Sequence, residues 1–189
     1  MFSEPDWSQS VDFKARLAAV PPNAVVRGMF LQLITEAIPR ETKAKPGLAA
    51  RYLPFKTYPL REYIELLELA TRAAPLPAAE CVRRIGWRVY RSYASTITGT
   101  AIFAIAGIDF GRVIELASSA YKVALDPSDI RVRTLNKHYA HVELRDLYNL
   151  PDFHQVGIWE GAMKACGVIG EIKTRVFNYG AVDFEVRWE

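Results

Sequence analysis

Five side chains that could bind a metal or transfer a proton fall within seventeen positions of the chain: His138, His141, Asp146, Asp152 and His154. Histidine and carboxylate groups are common metal ligands and acid–base catalysts. Residues three apart in a β-strand point to opposite faces, however, so His138 and His141 would not converge if both lie in a strand. We therefore interpret the group as exposed sheet and turn residues, with a metal or acid–base site as the alternative.

The two cysteines give no sign of redox or zinc chemistry. Cys81 and Cys166 are too far apart in sequence to form a CxxC pair, and this usage is typical of a reducing compartment. Each is more often a small buried hydrophobe than a reactive thiol. The sequence also contains no GxSxG, P-loop or HExxH motif. With no catalytic constellation, we predict a protein that is not an enzyme and that uses no cofactor or metal.

The composition predicts a packed globular protein without a nucleic-acid-binding surface. The 189 residues are 50% hydrophobic and 24% charged, with a net charge of +3. Basic and acidic residues are interleaved, whereas a nucleic-acid footprint needs clustered cations. The first ten residues, MFSEPDWSQS, include two acids and no apolar core, so we expect no secretory signal and a cytoplasmic protein.

An uncharged segment, Ser92–Ile108, stands out from this background. Its seventeen residues include five Ser or Thr and two Gly, and it is shorter than the roughly 20 apolar residues that span a bilayer. We therefore predict no membrane span. A helix without charges must be covered nearly all round, so the segment is expected to be a buried helix and turn that faces a ligand cavity or a partner chain.

The spacing of the apolar residues changes along the chain. Residues 1–20 are mostly polar and are expected to form a loosely anchored leader before a single α+β domain, 21–189. Apolar residues recur at helical spacing up to Asp126, with clear amphipathic helices over 60–74 and 77–91. The pattern then alternates with period two, which predicts strands near 130–133 and 140–145.

The end of the chain carries the strongest structural signal. Residues 152–166 look helical, with Gly157 and Gly161 on one side, where a neighbouring backbone could approach closely. Two alternating segments, 171–177 and 182–188, flank the turn NYG and predict a C-terminal β-hairpin. Its buried face would comprise Val182, Phe184, Val186 and Trp188. The fold class is therefore α+β, with helices packed on one face of an antiparallel sheet.

The outer face of that sheet is expected to be a solvated lattice of charges. Glu143, Asp183 and Glu185 share this face with a row of cations, so a continuous basic strip is not expected. The cations are Arg131, Arg133, His141, Arg145, Lys173, Arg175 and Arg187.

Four segments carry a resemblance to known proteins: VVRGMFLQLI, YPLREYIELLELA, IGWRVYRSYASTITGTAIF and GVIGEIKTRVFNYGAVDFEVRW. They resemble a family of uncharacterised myxobacterial proteins of about this length. More distantly, the layout is similar to a superfamily of haem-dependent nitric-oxide sensors, vinyl-reductase-like ligand-binding domains and acyl-holding trafficking-complex subunits. This resemblance implies a helical layer over an antiparallel sheet, with an apolar pocket between them.

The chemistry of those relatives does not transfer to the matching residues. The haem sensors use a helical histidine and a Tyr-x-Ser-x-Arg strand, but the matching helix GIDFGRVIELASSAYK has no histidine. The matching strand reads HVELR and keeps only Arg145 of that motif. A cysteine zinc site would have Cys166 alone, and Cys81 is only a weak candidate for the acylated cysteine of the trafficking subunits. The resemblance therefore predicts neither haem nor zinc.

Two functions of different classes remain open. The first is a sensor or ligand-binding domain in signalling, in which an apolar small molecule occupies the pocket. The second is an interaction module without a ligand, which acts through helix-mediated homodimerisation or docks to a signalling partner. The predicted pocket wall consists of Tyr93, Ile97, Ile102, Phe103, Ile105, Phe110 and Trp159.

Overall fold

The computed structural model describes residues 1–37, 51–94, 99–100 and 109–189. The described helices are α1 (Phe13–Ala19), α2 (Gly28–Ala37), α3 (Leu60–Ala73), α4 (Ala78–Ala94), α5 (Phe110–Ala124) and α6 (His154–Cys166). The strands are β1 (Val25–Arg27), β2 (Thr57–Pro59), β3 (Leu125–Asp126), β4 (Asp129–Asn136), β5 (Tyr139–Arg145), β6 (Gly170–Asn178) and β7 (Ala181–Trp188).

A four-stranded antiparallel sheet in the order β4-β5-β7-β6 forms one layer. Val142 on β5 lies opposite Phe184 on β7, which in turn lies opposite Thr174 on β6. The predicted hairpin is confirmed, and Val182, Phe184, Val186 and Trp188 are all buried. Helices α5 and α6 contact this sheet, so the predicted α+β fold with helices on one sheet face is also confirmed.

A second, three-stranded sheet in the order β2-β1-β3 was not expected from the sequence. Its strands are two or three residues long, too short to show an alternating pattern. Val26 in the central strand is 1% exposed and pairs with Tyr58 and Leu125. This small sheet joins the start of α2 and α3 to the end of α5.

The outer face of the four-stranded sheet carries paired charges, with one correction to the prediction. Arg133 lies 2.9 Å from Glu143, and Arg187 lies 3.0 Å from Glu185, as a charge lattice requires. Asp183, however, is only 1% exposed rather than solvated. The guanidinium groups of Arg145 and Arg175 lie 2.7 and 2.5 Å from its carboxylate oxygens. These cations cover Asp183, and their hydrogen bonds hold its pKa below the ordinary value even though burial alone would raise it.

The N-terminal segment makes specific contacts that the expectation of a loosely anchored leader did not include. Ser3 exchanges two backbone hydrogen bonds with Thr174 at the edge of β6. Arg16 on α1 is 7% exposed, and its Nη1 donates a 2.7 Å hydrogen bond to the buried Asp152. A buried charge needs such a partner, so this pair favours a docked leader over a loose one.

Helices α4 and α6 pack with their backbones in contact. A methyl group at Gly157 on α6 would lie 1.9 Å from the carbonyl oxygen of Arg83 on α4. At Gly86 on α4 it would lie 2.1 Å from the carbonyl oxygen of His154, and Gly161 meets Trp87 in the same way. The close approach predicted from the glycine spacing is therefore confirmed, with α4 as the neighbour. Along the described part of the chain, every helix is too short or too polar to cross a membrane.

A methyl group should not be tolerated at this contact. We expect Gly157→Ala to lower the free energy of unfolding by about 3 kcal/mol, because the added Cβ meets a backbone atom that cannot rotate away. Gly111→Ala is the matched control. Its Cβ would meet only the Asp109 side chain within 3.4 Å, at 3.1 Å, so we expect a change below about 1 kcal/mol. Chemical denaturation measures both, and equal stability of the two variants would contradict the packing.

Candidate functional site

An apolar cavity of about 90 Å³ lies among the helices and the small sheet. Helices α4, α5 and α6 form most of its wall, while α2, α3, β1, β3 and Asn149 contribute the rest of the described lining, and the cavity is partly open. No residue of the four-stranded sheet is among the described lining residues, so the cavity lies one layer further from that sheet than expected. The lining comprises Val26, Phe30, Tyr63, Val89, Tyr90, Tyr93, Val113, Leu116, Ala117, Ala120, Tyr121, Ala124, Leu125, Asn149, Gln155, Ile158, Trp159 and Ala162.

The predicted pocket residues fall into three groups. Tyr93 and Trp159 line the cavity. Phe110 does not, because its ring packs edge-on against Trp188 at a centroid distance of 5.1 Å. The remaining four, Ile97, Ile102, Phe103 and Ile105, lie outside the described residues, as does most of the uncharged segment.

Aromatic contacts fix the wall on two sides. The Trp159 ring meets Phe184 of the main sheet edge-on, with centroids 6.0 Å apart. On the other side, Phe30 of α2 stacks on Tyr93 of α4 at 5.9 Å. Such ring pairs add stability beyond the area they bury. They tie the cavity wall to the sheet below it and to the helix beside it.

The cavity lining includes a few buried polar side chains. The Tyr121 hydroxyl donates a hydrogen bond to Oε1 of Gln155, which is completely buried. Nε2 of Gln155 and Oδ1 of Asn149, a residue that is 2% exposed, have no hydrogen-bond partner among the described residues. Burial raises the pKa of Tyr121, so its hydroxyl stays protonated at neutral pH. The cavity is therefore uncharged along its described lining and offers unused hydrogen-bonding groups.

A second buried polar pair joins the lining residue Tyr63 to His154, which does not line the cavity. The Tyr63 hydroxyl lies 2.8 Å from Nε2 of His154, which is completely buried at the start of α6. Burial lowers the pKa of His154 to about 3, so the ring is neutral at physiological pH. The carbonyl oxygen of His154 lies close to Gly86 of α4, so the first turn of α6 packs directly against α4. His154 thus has a structural position at the helix contact and is not among the lining residues.

The histidine and carboxylate group noted in the sequence does not converge. Asp152 is paired with Arg16, and His154 with Tyr63. His138 hydrogen-bonds the Trp188 carbonyl through Nδ1 at 3.0 Å, while His141 lies 3.5 Å from Asp183. Within the described ranges, no three such side chains lie close enough to hold a metal ion. Both cysteines are buried, and desolvation raises the pKa of each thiol, which disfavours the reactive thiolate.

Residues 19–189 match the family described as "Protein of unknown function (DUF2378)". The chain belongs to the DUF2378 family. A search of curated proteins finds no match to this DUF2378 chain.

Solved H-NOX proteins share the fold of this DUF2378 member at low sequence identity. An H-NOX protein from S. oneidensis, in the Fe(II)NO ligation state, is 14% identical with a TM-score of 0.62, over 85% of this chain and 88% of that one. An unliganded Fe(II) H-NOX mutant from K. algicida is 14% identical with a TM-score of 0.59, and the match covers 86% of this chain and 96% of that one. A variant of Tt H-NOX is 12% identical with a TM-score of 0.65, and the match covers 86% of this chain and 94% of that one. The distant similarity predicted from element order is confirmed at the level of the fold.

The described cavity of the DUF2378 chain does not fit a haem. Its lining contains no histidine, cysteine or methionine to serve as axial ligand, and no arginine or lysine for the propionates. Its tyrosines are poor substitutes, because burial raises the pKa of Tyr63, Tyr90, Tyr93 and Tyr121 and keeps the phenols neutral. Arg145, the one retained residue of the haem-sensor strand motif, instead pairs with Asp183 on the outer sheet face.

Most of this wall was missed by the sequence analysis. The α5 residues Val113, Leu116, Ala117, Ala120 and Tyr121 form one helical stripe, which a period analysis assigns equally well to a filled core. Gln155 carried no distinctive signal, since its helix also holds the polar residues His154, Glu160 and Lys164. Its burial depends on the contact between α4 and α6, which the spacing of residues in one helix does not specify.

The buried histidine should make the protein sensitive to acid. His154 has an ordinary pKa of 6.5 in the unfolded chain and about 3 in the folded one, so below pH 6.5 the unfolded state binds the extra proton. Stability is therefore complete above pH 6.5 and falls towards pH 3, by about 2 kcal/mol at pH 5. In His154→Gln, the loss of unfolding free energy between pH 7 and pH 5 should shrink by about that amount. A variant that follows the wild-type pH dependence would refute this assignment.

We also expect haem not to be ligated. Hemin titrated into the purified protein should give only the broad absorption of unligated haem, because the described lining offers no axial donor. The measurement is the Soret band across a titration to twofold excess. A sharp band that saturates at one haem per chain would contradict the fit argument.

Proposed function

We propose that this DUF2378 protein is a non-enzymatic sensor domain that binds a small apolar molecule in the cavity between α4, α5 and α6. The observation that carries the proposal is the cavity itself. Protein interiors are close-packed with few voids, so a lined cavity of about 90 Å³ in a domain of this size calls for an occupant. The fold is shared with H-NOX proteins that were solved in Fe(II) unliganded and Fe(II)NO ligation states, and this likeness supports a ligand-binding role.

The wall has the character of a binding site for an uncharged ligand. Its lining is almost wholly apolar and aromatic and includes a few buried polar atoms. This is the usual composition of small-molecule sites. A rigid pair, α4 and α6, forms one side, whereas α5 contributes small residues such as Ala117 and Ala120 that leave room.

The position of α5 suggests how binding would be relayed. This helix lines the cavity and also contacts β4 of the main sheet, so a ligand that displaces α5 would act on the sheet edge. The alternative of a ligand-free dimerisation module, a signalling partner and a cytoplasmic location stay predictions from the sequence.

Filling the cavity should abolish binding without unfolding the protein. In Ala117→Leu, the larger side chain would occupy the cavity, and we expect affinity for cyclopentane to fall at least tenfold. Ser119→Leu, on the exposed face of the same helix, is the matched control and should bind as the wild type does. The increase in melting temperature with added cyclopentane measures both, because a ligand that binds only the folded state stabilises it. Absence of any shift in the wild type would contradict the proposal.

A further inference from the structure

Polar atoms of the cavity lining that have no hydrogen-bond partner narrow the class of ligand. Gln155 is completely buried, and its side-chain oxygen is already engaged by the Tyr121 hydroxyl. Its amide nitrogen, Nε2, has no partner among the described residues although the residue lines the cavity. Buried polar groups are nearly always hydrogen-bonded, so a buried N–H without a partner at a cavity wall indicates a group that arrives with the ligand.

Buried polar atoms without a partner also occur away from the cavity, for example Nε of Arg16 and Nδ1 of His154, although both residues make another polar contact. Arg16 and Asp152 pair with each other, and Tyr63 pairs with His154 at 2.8 Å. On the cavity wall, Oδ1 of Asn149 and Nε1 of Trp159 also have no hydrogen-bond partner among the described residues. What distinguishes Gln155, Asn149 and Trp159 is that their unpartnered atoms belong to residues that line the cavity, where a ligand could meet them.

The lining also selects against charge. The described residues that line the cavity include no Asp, Glu, Lys, Arg or His. Burial of an ion without a partner of opposite charge costs far more than burial of a neutral polar group. Carboxylic acids and amines are therefore excluded in their charged forms, although their hydrocarbon parts would fit the wall.

The size of the cavity sets an upper limit on the ligand. A cavity of about 150 Å³ lined by aliphatic and aromatic residues holds benzene. The cavity here is smaller, at about 90 Å³, but it is partly open among the described residues, so a molecule as large as benzene would extend into the opening. We therefore take about six non-hydrogen atoms as the upper end of the size range for the ligand.

We infer that the ligand is a neutral small organic molecule whose single polar group accepts a hydrogen bond from Nε2 of Gln155, while its hydrocarbon part lies against α4 and α5. This inference rests on the proposed function, because it assigns the ligand class of the same cavity. Small ketones, aldehydes, ethers and alcohols belong to this class, and hydrocarbons and carboxylates of equal size do not.

The test compares three probes of similar size: cyclopentanone, cyclopentane and butyrate. Titrations followed by ¹H–¹⁵N NMR report the Gln155 side-chain amide directly in the wild-type protein. We expect cyclopentanone to shift this signal downfield, cyclopentane to bind without shifting it in that direction, and butyrate to leave the spectrum unchanged.

A variant isolates the hydrogen bond. Gln155→Met keeps the length of the side chain and removes the amide, so affinity for cyclopentanone should fall about tenfold while affinity for cyclopentane stays the same. Gln9→Met, the same change at an exposed glutamine, is the control and should alter neither affinity. If Gln155→Met does not fold, the wild-type amide shift alone decides.

The outcomes separate the two proposals. If cyclopentane and cyclopentanone bind and neither moves the Gln155 amide, the ligand-binding cavity stands and the hydrogen-bonding inference is overturned. Tight binding of butyrate also overturns it, because the site would then accept charge. If no probe binds the wild type, only water would hydrogen-bond the polar atoms of the cavity, and the proposed function itself fails.

Discussion

The contact between the backbones of α4 and α6 is the constraint on which the cavity depends. Gly86 and Gly157 bring the two helices so close that a methyl group would fall about 2 Å from a carbonyl oxygen of the other helix. A helix pair fixed through backbone atoms cannot adjust by side-chain rotation, so it behaves as one rigid wall. Val89 and Tyr93 on α4 and Trp159 on α6 project from this wall into the cavity. The close contact of α4 and α6 thus fixes one side of the cavity.

Charged side chains are paired on the outer sheet face and at the contact between α1 and Asp152, away from the cavity lining. Asp183 is held under Arg145 and Arg175 on the outer sheet face, and Arg16 joins the N-terminal helix to Asp152. Polar atoms near the cavity are neutral, because burial keeps His154 deprotonated and the tyrosines protonated. A fold shared with H-NOX proteins therefore surrounds a lining whose chemistry suits an uncharged organic molecule better than a haem.

The sequence predicted the parts of the fold that have a clear period. The alternating residues of β7 and the glycines at 157 and 161 have their expected partners, since strand alternation and small-residue spacing report directly on packing. Asp183 was placed on a solvated face because its strand position says nothing about the arginines of neighbouring strands that cover it. The cavity wall was only partly predicted for the same reason. Tyr93 and Trp159 line it, but the α5 stripe and Gln155 acquire their roles from the arrangement of three helices.

Crystallography under xenon pressure tests the central claim most directly, because xenon binds apolar cavities irrespective of their polar groups. The account predicts a xenon atom between α4, α5 and α6, in contact with Ala117 and Trp159, with the helices unmoved. A crystal structure in which side chains fill this space, or in which xenon binds elsewhere and leaves it empty, would contradict the claim that the protein maintains a ligand-sized cavity.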